Sequence, residues 1–109
     1  MNVQREEIQQ RLGFIDRTID HAVRACQSDD KVPEELKDYV DQLGQRSTQA
    51  QRALAREDER GVRESVDDLA RISYQAQRRI HPADDMNYDV KSAVILAHIE
   101  VSALRHQLA

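Results

Sequence analysis

The sequence predicts an all-α fold, an antiparallel up-down four-helix bundle built from two helical hairpins. Three observations carry that expectation. Apolar residues recur at intervals of four and three in four separate segments, the signature of one face of a helix. Breakers are scarce, with 3 Gly and 2 Pro in 109 residues, so few turns can be made. Each apolar run is about 27 Å long at ~1.5 Å per residue, and helices of matched length with short links pack side by side.

The first helix is expected over about 3–27. Its stripe is Ile8, Leu12, Ile15, Ile19, Ala22 and Cys26, and it stops in "QSDDKV". The second is expected over about 33–56. Pro33 opens it at the first helical position, and Glu34 and Glu35 follow where the helix dipole favours acids. Its stripe is Leu36, Val40, Leu43, Ser47, Ala50 and Leu54. The third, over about 59–81, carries Val62, Val66, Leu69, Ser73, Ala76 and Ile80, and ends before Pro82. The fourth, over about 87–108, carries Val90, Val94, Ala97, Val101, Leu104 and Leu108. One joint has two readings. Between Leu54 and Val62 the spacing slips to eight, which places a tight turn near Glu57 to Arg60 with Asp58 as N-cap. The alternative is one continuous helix through the slip.

The second and third helices repeat each other. "STQAQRAL" at 47–54 returns as "SYQAQRRI" at 73–80, and the match extends upstream through Val, Asp and Leu. Folded antiparallel, the small pair Ser47 and Ala50 comes opposite Leu69 and Val66. The pair Ser73 and Ala76 comes opposite Leu43 and Val40. Small faces large at both ends, so the helices close without voids. Each helix is acidic in its first half and basic in its second, so the antiparallel arrangement also sets acids beside bases. The repeat is a packing device.

Composition bounds the function. Net charge is −4, with no long basic run, which speaks against nucleic acid as a partner. The single Cys26 forms no internal disulfide and fits a reducing compartment. The first residues, "MNVQREEIQQ", contain no apolar signal region, and no apolar run is long enough for a membrane span. A cytoplasmic protein is expected.

Helical phase decides which residues could carry chemistry. Glu35-x-x-Asp38 and Glu64-x-x-Asp67 resemble the paired acid motifs with which the all-α nucleoside triphosphate pyrophosphatases hold Mg²⁺. That resemblance implies a metal-dependent nucleotide hydrolase. The phase turns Asp38, Glu64, Asp67 and Asp68 away from the stripe, and the hairpin sets the two pairs at opposite ends. Solvated helix-start acids are the reading that the phase favours. "HAVRA" at 21–25 resembles the core of histidine phosphotransfer domains, which implies His21 as a phosphoryl acceptor steadied by Arg24. The family has Gly where this chain has Ala25, and a middle helix where this chain has its first. A surface histidine beside Asp20 is expected. His98 and Glu100 border the fourth stripe without the further ligands a metal needs. Cys26, on a stripe, is expected to be a buried inert thiol. No catalytic residue, metal, cofactor or small-molecule substrate is expected, and the chain is read as not an enzyme.

The fourth helix departs from the others. Its face opposite the stripe carries Ser92, Ile95, Leu96, Ile99, Ser102, Ala103 and His106, all apolar, small or without formal charge. A helix apolar nearly all round is expected to be covered nearly all round. Ile95, Leu96, Ile99, Ser102 and Ala103 are therefore the candidate interface. The expected role is a protein–protein interaction or regulatory module, with a homodimer or another protein docked through the fourth helix.

Overall fold

The computed structural model describes residues 2–81 and 85–109, with side chains from Gln4 onward. Pro82, before which the third helix is expected to end, lies outside the described residues. The elements are α1 (Asn2–Gln27), α2 (Glu34–Ala55), α3 (Glu59–Arg78) and α4 (Tyr88–Leu108). They form an antiparallel bundle in which α1 packs on α2, α2 on α3, α3 on α4 and α4 back on α1.

The stripes read from the sequence are the core. All their residues are buried except Ile80 and Leu108, which are half-buried. The larger cluster joins Ile8, Leu12, Ile15 and Ile19 of α1 to Leu43, Leu54, Val62, Leu69, Ile72 and Leu104. A second cluster at the other end holds Ala22, Cys26, Leu36, Val40, Ala76, Val90 and Val94, closed off by Val32 and Met86 from the links. Each large aliphatic side chain buried this way contributes ~1.5–3 kcal/mol relative to exposure. At that end Asp29 ties two links together. Its carboxylate accepts from the Asn87 N–H at 2.6 Å and from the Lys31 N–H at 2.9 Å. Those two donors hold its pKa below the ordinary carboxylate value.

The joint between α2 and α3 is a turn, and the continuous helix is excluded. Asp58 caps α3, its Oδ1 accepting from the Gly61 N–H at 2.9 Å. Glu57 has φ 58, the left-handed residue that ends α2. The Asp58 N–H reaches the Ala53 carbonyl at 2.9 Å and the Glu57 N–H reaches Leu54 at 3.0 Å. A Cβ on Gly61 would lie 2.8 Å from the Asp58 carboxyl carbon and 3.1 Å from the Ala53 Cβ, so the cap needs glycine there. The ion pairs keep the register of this hairpin. Arg79 meets Glu35 at 2.7 Å and Arg46 meets Asp68 at 3.9 Å, basic halves against acidic halves. Arg79 also bonds Tyr39, and both partners favour its charged form.

The helix ends lie within one residue of those expected except at the end of α3, and the start of α2 is built differently. Pro33 is the N-cap of α2, not its first helical residue, because its ψ of 145 is extended; its carbonyl accepts from the Lys37 N–H at 3.1 Å. α3 ends at Arg78, three residues before the expected end. The Arg79 and Ile80 N–H groups turn to the carbonyls of Ala76 and Gln77, three residues back, which tightens the last turn and releases the chain.

Candidate functional site

The polar residues near the core are used to lock helices together. Ser47 of α2 donates to Asp16 Oδ1 of α1 at 3.0 Å. Its repeat counterpart Ser73 of α3 donates to the Ala70 carbonyl at 3.0 Å and lies 2.9 Å from His98 Nδ1 of α4. With the hydroxyl proton committed to Ala70, the His98 Nδ1–H donates to Ser73 Oγ. Thr18 of α1 donates to Glu100 Oε1 of α4 at 2.6 Å. His98 and Glu100 are thus ties to α3 and α1. The repeated serines do more than leave room for a large neighbour, since each also reaches sideways, Ser47 to α1 and Ser73 to α4.

The acids that resemble a pyrophosphatase site are dispersed in surface pairs. Glu35 is held by Arg79, Glu64 by Arg60 at 3.0 Å and Asp67 by Arg105 at 3.1 Å, while Asp38 is exposed. Among the described residues, no group of three or more His, Cys, Asp or Glu converges as a metal site would require. His21 is exposed, and Arg24, expected to serve it, pairs with Asp20 at 3.1 Å. Cys26 is buried, and desolvation pushes its pKa up to about 11, partly offset by Lys37. A thiol so protonated is a poor nucleophile at neutral pH.

The outer face of α4 is apolar and exposed. α4 presents its stripe inward and leaves Tyr88 77 %, Ile99 57 %, Leu96 49 % and Ile95 39 % exposed. These are the larger share of the exposed large apolar residues, and they lie on one helix. Ser102 and Ala103 continue the same face and are exposed too, so the five expected interface residues share one side. Ile95, Leu96 and Ile99 line an open groove of about 650 Å³ with Tyr88, Ser92 and Ile80. The Gln77 side chain, on its α3 wall, has its Oε1 buried without a hydrogen-bond partner among the described residues.

Two large apolar residues of the groove, Ile80 and Tyr88, lie outside the face expected from the sequence. Ile80, the last residue of the third stripe, lies beyond the end of α3, half-buried and packed against the second core cluster while it also lines the groove. Tyr88 stood ahead of the stripe; it lies seven residues before Ile95, the heptad interval, and that interval was the available signal. No helix among the described residues is long and apolar enough to cross a membrane. Comparison of the chain with protein-family models, with curated proteins and with solved structures finds no match.

Proposed function

We propose that this chain is a small non-enzymatic interaction module that homodimerises through the outer face of α4. The observation that carries the reading is the run of exposed Tyr88, Ile95, Leu96 and Ile99 on a helix whose opposite face already fills the core. Contiguous exposed apolar surface of this kind marks association sites. Covering one isoleucine contributes ~1.5–3 kcal/mol at most, and a symmetric pair covers every such residue twice. The non-enzymatic reading is supported by Glu35, Glu64 and Asp67, which are held in ion pairs, and by His98, which is held in an interhelical tie. A reducing compartment such as the cytoplasm suits the single thiol.

The test is the variant Ile95→Glu with Ile99→Glu. It sets carboxylates against one another in any self-pairing of this face and leaves the core stripe untouched. Light scattering should give a dimer for the parent and a monomer for the variant, with equal helicity by circular dichroism. A variant that stays dimeric would place the interface elsewhere.

A further inference from the structure

The exposed side of α4 has an internal order. Tyr88, Ser92, Ile95, Ile99, Ser102 and His106 follow at intervals of four, three, four, three and four. That is the interval of a helix–helix seam. The buried stripe has the same intervals and begins two residues later, at Val90. Two residues turn a helix by about 200°, so the seams lie on opposite sides. The bundle supplies a partner for the inner seam. The outer one has the spacing of a surface that receives another helix.

The order of residues identifies that helix. Counted outward from Ala97, Ile95 and Ile99 are equidistant, as are Ser92 and Ser102, and as are the rings of Tyr88 and His106. The seam reads the same from both ends. In a parallel pair every residue meets its own copy whatever the order, so a mirrored order has no consequence there. In an antiparallel pair only a mirrored order sets isoleucine on isoleucine and serine on serine. The small serines then let the helices close on the central isoleucines. Leu96 falls beside the axis, next to its own copy. Antiparallel pairing also opposes the two helix dipoles and keeps the two His106 rings apart. The flanking cation Arg105 is held by Asp67 at 3.1 Å, so the copy's Lys91 meets a carboxylate as well as a guanidinium.

We propose that α4 pairs antiparallel with α4 of a second copy, about a two-fold axis at the level of Ala97, with Ser92 of each chain beside Ser102 of the other. This rests on the reading of the face as a dimer interface, and adds the orientation and register of the partner. Disulfide trapping tests it. The variants Ser92→Cys and Ser102→Cys are prepared separately, with the buried Cys26 retained and the parent chain as its control, and helicity is checked by circular dichroism. Each is oxidised mildly alone, and as a mixture left to exchange subunits. The expected result is a covalent dimer in the mixture and none in either variant alone. In the proposed pairing, Ser92 and its own copy stand ten residues apart, about 15 Å along the axis, far beyond the ~7 Å between Cα atoms that a disulfide spans. Efficient cross-linking of each variant alone overturns the antiparallel register while leaving the homodimer standing. No cross-link in any sample, with the parent dimeric by light scattering, overturns the seam as the contact. A monomeric parent overturns the dimer and the register together.

Discussion

α3 and α4 are neighbours of nearly equal length, and each buries one stripe at intervals of four and three, yet their outer faces are made differently. On α3 the outer face is charged, and its charges are satisfied in place: Glu64 by Arg60, Asp68 by Arg71 at 3.4 Å, Asp67 by Arg105. Its exposed Tyr74 lies under the Arg78 guanidinium at 5.7 Å. On α4 the outer face has no formal charge between Lys91 and Arg105 except Glu100, which is turned to Thr18 of α1. Water completes the first kind of surface. It does not complete the second, because each exposed isoleucine there keeps its hydration cost. The inner stripe shows where a helix meets its own bundle, and the second stripe on the far side is the surface proposed to meet a second copy.

The comparison breaks most readily at single large-to-small changes. Leu69→Ala on the inner face of α3 removes a fully buried side chain and should cost about 2–5 kcal/mol in chemical denaturation. Ile99→Ala on the outer face of α4, measured at concentrations low enough to keep the chain monomeric, should stay within about 0.5 kcal/mol of the parent. Equal losses would put Ile99 in the core and erase the distinction between the faces.

Small-to-large changes sharpen it. Ala50 packs in the cluster that contains Val66 and Leu69, and Ala76 in the one that contains Val40, both without exposure. Ala50→Leu or Ala76→Leu should overpack the α2–α3 seam and cost about 1–3 kcal/mol. Ala103→Leu, on the outer face of α4, should leave the melting of the monomer unchanged. If all three melt with the parent, close packing of the repeated helices is not what their small residues provide.

A pH-dependent effect concerns the inner side of α4, where Cys26 shares a cluster with Val90 and Val94. Burial raises its pKa from 9.0 to about 11, so between those values the folded thiol keeps a proton that the unfolded one has lost. This contribution to stability is complete below pH 9 and declines as pH rises towards 11. Denaturation midpoints followed from pH 8 to 11 should fall less steeply for Cys26→Ala. Identical pH slopes would show that the thiol is not in a dry environment.

Much of this was legible in the residues. The stripes could be read because the period of an α-helix is imposed on any sequence that must bury one side, and the slip between Leu54 and Val62 marked the turn. The apolar residues Ile95, Leu96 and Ile99 were legible for the same reason. What was missed depends on lateral neighbours. Ala53, Ala70, Ile72 and Ala93 are buried beside the stripes because each helix of a four-membered ring has two partners, which widens the buried arc beyond one row. That Ser47 would meet Asp16, and Ser73 His98, follows from which helix lies alongside, and no spacing within one helix reports that. Glu57 in a left-handed conformation had no signal, since glycine or asparagine is the usual mark of such a site. Val32 and Met86 close the bundle end from links that have no period to read.

The central claim is that the outer seam of α4 is a self-pairing surface. Sedimentation equilibrium of the unmodified chain from low to high micromolar concentration tests it most directly. A self-pairing seam gives a reversible monomer–dimer equilibrium, with the mass rising from 12.6 kDa to twice that value as concentration increases. A single species of 12.6 kDa over the whole range would contradict it.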